Sequence, residues 1–461
     1  MDILTNIVKI INEYLWNYGL LFLLCGTGLY FTIRLRFIQV RKFGRGFKMA
    51  FGGLFRKNKE AADAGGMTPF QSLATAIAAQ VGTGNLIGAA GALIAGGPGA
   101  IFWMWVSAFL GMATVYVEAT LAQKFKTTKD GLVVGGPRYY IMGAFRGKFG
   151  KVLAALFSVL IILALGFMGN MVQSNAIGNS FQSAFQIPSW AMGIVVAVLA
   201  LFVFLGGVKR IASVTEKIVP FMALLYMLGA LIVIFANVTK VPGAFGQIFV
   251  GAFNPQAVTG GVIGITIQKA MRYGVARGLF SNEAGMGSTP HAHALAKVKH
   301  PCDQGFVAMM SVFIDTFVIL TLTALVVLVT DVLPLGYTGA LDDSNLTQAA
   351  FSSLFGTGGN IFIAICMFFF AFSTIIGWYF FGASNVNALF GRLGVRIYAV
   401  IVCGFLVVGS FLKVDLVWAL TDMFNGLMVI PNLIALIALG SLVVKLNRDY
   451  ERNDRLKPHK D

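Results

Sequence analysis

From Met67 to Ala90 the chain reads MTPFQSLATAIAAQVGTGNLIGAA. A lipid bilayer demands roughly 20 apolar residues to cross about 30 Å of hydrocarbon, and this stretch has that length. Its middle, Gly82-Thr83-Gly84-Asn85, is poorly suited to helix. Each Gly costs about 1 kcal/mol relative to Ala in a helix interior, and Thr and Asn compete for nearby backbone hydrogen bonds. Such a segment at mid-membrane depth either packs tightly or opens its backbone. Opened backbone is tolerated in lipid only where it is buried in protein or lines a cavity. Gly88, Ala89, Gly91 and Ala92 read as small residues that let helices approach. The GTGN cluster reads as an opened, ligand-facing segment, because packing alone requires no Thr or Asn.

The remaining chain is of the same kind. With 57% hydrophobic and 12% charged residues it falls far from soluble domains, in which about 25% of residues are charged. The formal charge of +16 does not point to nucleic acid, because the basic residues form no single stripe. They fall in short blocks between apolar runs, which is a topology signal. Cys25, Cys302, Cys366 and Cys403 show no ligand or disulfide spacing. Asp2 and Glu13 near the start argue against a cleavable signal peptide, so the first apolar run is expected to remain as a helix.

Eleven spans are expected, near 12–33, 67–90, 98–122, 152–180, 190–207, 212–236, 258–282, 304–330, 358–390, 395–412 and 415–443. The seventh and ninth are the least regular. The blocks at 34–59, 124–151, 209–217, 269–299 and 392–396, with the tail from Lys445, hold 32 of the 35 basic residues. Only Lys9, Lys240 and Lys413 lie on the other side. The positive-inside rule then sets the N-terminus outside and the C-terminus in the cytoplasm of a multi-pass cell-membrane protein. Setting the first span aside leaves ten. This divides the chain into an extra helix with its basic loop (1–66), a first five-helix set (67–240), a second, inverted set (241–443) and a charged tail (444–461). The seventh span should mirror the second, and its Gly264, Thr266 and Gln268 again place Gly and polar groups where a plain span is apolar. Paired, Gly-interrupted segments in corresponding halves point to a transporter site at the midplane.

Catalysis has little to work with. His291, His293, His300 and His459 fall in segments expected to be cytoplasmic, and the spacing of His291 and His293 turns their rings apart on a helix. Glu118, Glu216 and Glu283 lie near basic blocks and read as gate or structural ion-pair partners. Asp315 is deeper and reads as a hydrogen-bonded structural acid or a proton relay. Ser373 and Thr374 interrupt a strongly apolar run. Their hydroxyls, with carbonyls freed at a broken helix, suit a hard cation such as Na⁺, although such hydroxyls commonly bond back one turn.

Two runs carry a resemblance. GGPGAIFWMWVSAFLG from Gly96 to Gly111 and GVARGLFSNEAGMGS from Gly274 to Ser288 resemble the alanine or glycine:cation symporter family of prokaryotes. The resemblance implies an all-α, leucine-transporter-type fold, in which an extra helix precedes two inverted five-helix repeats whose first and sixth helices are broken. It also implies Na⁺- or sometimes H⁺-coupled uptake of small amino acids such as alanine and glycine, with no organic cofactor. Carried over by position, the carbonyls of Ala78, Val81 and Phe370 with Ser373 and Thr374 would hold the cation. Gln80 stands where related transporters have a small residue, and its side chain is expected to reach the substrate.

On this reading the N–H groups after Gly82 meet the substrate carboxylate at the positive end of a half-helix, with Thr83, Gly84 and Asn85 alongside. Gln80 and Asn170 supply directed amide bonds. Phe167, Ile375 and Trp378 close the side-chain end, and such bulk rejects large side chains better than it separates alanine from glycine. Trp103 and Trp105 anchor the interface or pack the fold. The partners expected are the amino acid, the cation and the bilayer, with no obligate protein partner. A channel or a non-transporting sensor is the rival class. A channel calls for a filter repeat or charged pore lining, and a sensor calls for a soluble output domain beyond the short tail.

Overall fold

The computed structural model describes residues 2–52, 66–129, 132–258, 266–333, 343–412 and 415–455. It is helical almost throughout, with one small antiparallel pair, Thr127–Lys129 with Leu132–Val134. In chain order the principal helices are α1 (Leu20–Arg34), α2 (Phe43–Phe51), α3 (Pro69–Gln80), α4 (Gly84–Gly96), α5 (Gly99–Lys124) and α6 (Lys148–Phe185). They continue with α7 (Ser189–Leu205), α8 (Gly207–Ala236), α9 (Val241–Phe253), α10 (Ile267–Asn282) and α11 (Pro290–Ala294). The last are α12 (Pro301–Val329), α13 (Asp343–Phe355), α14 (Thr357–Phe411), α15 (Asp415–Ala438) and α16 (Gly440–Arg455).

A helix occupies each of the eleven stretches expected to span. Among the described residues six are long and apolar enough to cross a bilayer, seven when the bent pair α3 and α4 counts as one. The apolar helices α1 and α7 are shorter. The expected ninth and tenth spans run together as α14, turned at Gly391, whose φ of 71° only glycine adopts readily. The ninth is also more regular than its Ser and Thr suggest, since its helix continues through both. The helices α9 and α13 lie where no element was expected. Outward faces such as Phe221, Leu224, Leu228 and Ile232 on α8 are apolar and exposed, as lipid requires.

Local chemistry explains where the elements start and stop. Thr68 caps α3 by accepting from the Gln71 amide at 3.0 Å, while Gln71 Oε1 accepts from Thr68 N at 3.1 Å and Pro69 takes the first position. At Val81 the backbone leaves the helix (φ −81°, ψ 89°), and α4 departs at 52° to α3. Thr266 and Gln268 do not form the second break. Gly264 is outside the described residues, Thr266 caps the start of α10, and Thr266 and Gln268 are exposed. The helix ends instead at Asn282. Glu283 (φ 55°), Gly285 (φ 90°) and Gly287 (φ 78°) then carry the chain through left-handed conformations to α11.

That displacement corrects the charge reading as well. Ala270 and Tyr273 pack at Gly96, so α10 begins at the end of the bundle opposite to Met67, which pairs with Ala296. Lys269, Arg272 and Arg277 therefore lie on α10 itself, not in the basic face. Arg277 sits 3.8 Å from Asp422.

Candidate functional site

Two interruptions meet at the centre. A Cβ on Gly84 would lie 3.0 Å from Ser281 Cα, and the Gln80 amide nitrogen donates to the Asn282 carbonyl at 2.6 Å. The last turns of α3 and α10 are thereby joined side to side. Asn85 closes the first break on itself, because its Oδ1 accepts from Gly82 N at 3.0 Å. Its Nδ2 donates to Asp315 Oδ1 at 2.8 Å, and Ser281 donates to the same carboxylate at 3.0 Å. Asp315 lies in a π-helical stretch of α12, Phe313–Leu320, and such turns frequently occur at functional sites.

The main-chain donors expected to receive a carboxylate already have partners. Asn85 holds Gly82 N, and Gln173 Oε1 accepts from Thr83 N at 3.3 Å. Gln173 Nε2 donates to the Thr83 hydroxyl at 2.9 Å. A carboxylate arriving here must take these donors over from two side-chain amides. Two acceptors face the opposite situation. Gln80 Oε1 and Asn170 Oδ1 are buried and have no donor among the described residues. Among the described residues Asn170 bonds to no other helix; its Nδ2 donates to Gly166 O on its own helix at 3.1 Å.

The five residues expected around a cation do converge. Thr374 Oγ1 is 3.0 Å from Ala78 O, 3.5 Å from Val81 O and 3.0 Å from Phe370 O. Ser373 Oγ is 3.3 Å from Ala78 O and 2.9 Å from Phe370 O. Gly82 presses on this cluster, since a Cβ there would overlap the Thr374 hydroxyl. Gly88, expected to be a packing glycine, instead faces open space.

Of the aromatic groups, Trp378 closes over the second break. It donates through Nε1 to Glu283 and meets Phe280 edge to face at 5.9 Å. Ile375 is buried on the same helix. Phe167 is turned elsewhere and packs on Tyr398 (5.5 Å) and Phe405 (4.8 Å). Trp103 and Trp105 pack the fold, donating to Ala252 O and the Thr321 hydroxyl.

The acids expected in ion pairs have neutral donors among the described residues. Glu118 accepts from Gly285 N (3.1 Å), Gly287 N (2.9 Å) and Asn432 Nδ2 (2.6 Å), so it braces the unwound segment. Glu283 accepts from Ser288 and Trp378, and Glu216 from Gln71. Gln173, Phe280, Ser281, Asn282 and Asn432 thus belong to the site although sequence reasoning gave them no role there, and Glu118 joins them as a brace and not as an ion-pair partner. For the second break the signal was present in SNEAGMGS, where three polar residues precede two glycines spaced by two.

Paired interruptions packed at the centre of a multi-pass helical bundle are the arrangement of the leucine-transporter-type fold. Solved structures share this fold. MhsT, solved in complex with L-phenylalanine, superposes with a TM-score of 0.57 at 12% identity, covering 82% of this chain and 97% of that one. A manganese transporter of Eremococcus coleocola gives 0.51 at 15% identity, covering 85% and 80%. The chain belongs to the sodium:alanine symporter family, whose model matches residues 1–461. Its relatives include the sodium/alanine symporter AgcS of Methanococcus maripaludis, 41% identical over 96% of this chain and 97% of that one. The amino-acid carrier protein AlsT of Bacillus subtilis is 40% identical over 98% and 94%. The probable sodium/glutamine symporter GlnT of Bacillus subtilis is 41% identical over 98% and 92%. These are transporters, not enzymes.

Proposed function

We propose that this protein is a Na⁺-coupled symporter that imports small neutral amino acids, alanine and glycine foremost, across a prokaryotic cell membrane by alternating access. Its eleven spans form an extra helix and two inverted five-helix repeats, with the N-terminus outside and the C-terminus in the cytoplasm. One observation carries the coupling. Two hydroxyls, on Ser373 and Thr374, make five contacts of 3.5 Å or less with the carbonyls of Ala78, Val81 and Phe370. Two protons cannot serve five contacts at once, whereas a hard cation among five oxygens is satisfied by all of them. Binding there holds α3 to α14 in the form that accepts the substrate.

The substrate lies between the two breaks. Its ammonium supplies donors to Gln80 Oε1 and Asn170 Oδ1, the buried acceptors that have none. Its carboxylate takes the Gly82 and Thr83 amides from Asn85 and Gln173 at the positive end of α4. Trp378, Ile375 and Phe280 bound the remaining space, which suits a side chain of a carbon or less. The names of AgcS and AlsT agree with this substrate class.

A second reading, H⁺ coupling, is favoured by Asp315, a buried carboxyl group bonded to Asn85 and Ser281 at the same centre. Counterflow and uptake of labelled alanine in proteoliposomes decide among these. Accumulation driven by a Na⁺ gradient at equal pH supports the proposal. Accumulation driven only by a pH gradient, and lost in Asp315→Asn, assigns coupling to Asp315. Binding without accumulation makes the protein a sensor, and flux that never rises above equilibrium makes it a channel.

A further inference from the structure

The face that carries the ends of α1 and α16 holds two basic hollows that meet at Arg41. One is lined by Arg34, Arg36, Arg41 and Arg448, with Glu451 as its only acid. The other is lined by Arg41, Lys42, Arg45 and Lys48, with Gly44 and Met49. Glu451 is engaged by Arg41 at 3.1 Å, so the two hollows together keep a large positive excess.

The backbone presents this surface under strain. Arg36 (φ 56°) and Phe37 (φ 54°) are consecutive left-handed residues, a conformation that costs free energy for any residue with a Cβ. Arg41 locks it by donating through Nε to Arg36 O at 2.7 Å and through Nη2 to Leu35 O at 3.1 Å. The turn holds Arg36 and Phe37 outward, and Phe37, Val40 and Phe47 remain half exposed or more, at 50%, 60% and 53%. The neighbouring helix α2, FGRGFKMAF, buries Gly46 and Ala50 and leaves Phe47 and Lys48 outside. Exposed aromatic side chains interleaved with Arg and Lys on a short amphipathic helix belong in the headgroup layer of a bilayer.

We propose that these hollows are a binding site for an anionic phospholipid of the phosphatidylglycerol class. The phosphate lies among Arg36, Arg41, Lys42 and Lys48, and the acyl chains run past Phe37, Val40 and Phe47. Charge complementarity selects the headgroup, and the exposed apolar side chains favour a lipid over a soluble anion. The site stands apart from the central breaks and does not depend on which solute is carried.

The test is native mass spectrometry of the full chain in detergent, with equal concentrations of dioleoyl phosphatidylglycerol and dioleoyl phosphatidylcholine. The wild type should retain the anionic lipid preferentially. The R36Q/K42Q/K48Q variant should lose that preference on the order of tenfold or more, since each basic residue near an anionic headgroup is worth roughly fivefold. Lys48→Gln alone, an exposed change that leaves the Arg41 lock in place, should lose roughly fivefold and serves if the triple variant does not fold. K209Q/K217Q, which removes two exposed charges elsewhere, should retain the preference. Equal retention of the two lipids by the wild type, or an equal loss in K209Q/K217Q, overturns the site. Complete displacement of the lipid by millimolar inorganic phosphate overturns the choice of a lipid.

Discussion

Gln80 reaches across from the end of α3 to the Asn282 carbonyl at the end of α10, 2.6 Å away, so one side chain fastens the two interrupted spans to each other. Its other atom, Oε1, stays buried without a donor among the described residues. On the proposed reading, replacing Gln80 with Ala removes a strut and a substrate ligand together. Leaving a buried carbonyl unpaired costs about 1–3 kcal/mol, so Gln80→Ala should lower the melting temperature and weaken alanine binding by roughly tenfold or more. Scintillation proximity binding of labelled alanine checks the second effect. Unchanged affinity would remove Gln80 from the substrate site.

Thr374→Ala deletes the hydroxyl that lies 3.0 Å from both Ala78 O and Phe370 O. The Na⁺ concentration that gives half-maximal uptake should rise by roughly tenfold, the size expected for one charge-assisted oxygen contact. Thr374→Ser should restore it. A rise in the alanine requirement with no change for Na⁺ would refute the cation assignment.

Gly82 and Gly88, six residues apart, behave oppositely. A methyl group on Gly82 would overlap the Thr374 hydroxyl and lie 3.2 Å from Gln173 Oε1, whereas one on Gly88 meets nothing within 4 Å. Gly82→Ala should abolish Na⁺-dependent uptake while the protein still reaches the membrane. Gly88→Ala should transport normally and gain up to about 1 kcal/mol of helix stability. Uptake assays with surface-expression controls distinguish the pair.

Glu118 gathers three donors, two of them main-chain amides of the second break. Glu118→Ala orphans both amides, leaves Asn432 Nδ2 only its bond to Gly285 O at 2.9 Å, and should destabilise the protein by at least about 2 kcal/mol. Glu118→Gln keeps one acceptor and should fall between. Thermal unfolding in detergent, followed by intrinsic fluorescence, gives the order. If Glu118→Ala melts with the wild type, Glu118 does not hold the segment.

The helical architecture was legible because lipid imposes length and apolarity on every crossing, and because glycine and proline mark the ends. The first break was legible for a related reason: GTGN places backbone-competing side chains inside an apolar run. The second break was misplaced by about 20 residues. Gly264 and Thr266 follow the same compositional cue, but Thr266 is only a helix cap. The interruption falls among Asn282, Glu283, Gly285 and Gly287, where polarity alone suggested an aqueous loop. Burial reverses that meaning. Glu283 is fully buried, and its partners Ser288 and Trp378 become visible only once distant helices are assembled. The same holds for Gln173, which meets Thr83 across 90 positions of sequence. Phe167 was misread because helical spacing places it near Asn170 but does not reveal that Phe405 stands on its side.

Met67 and Ala296 form a short parallel bridge, in which Met67 N donates to Leu295 O at 2.9 Å and Lys297 N to Met67 O at 3.0 Å. Ser72 adds a bond to Ala292 O at 2.9 Å, and Gln123 ties Ala296 O to α5 at 2.9 Å. Met67 is thus stitched to Leu295 and Lys297 through peptide groups, which no side-chain rotation can release. Any route from the centre to that side must swing both segments as a single door on a common hinge, or tear the seam first.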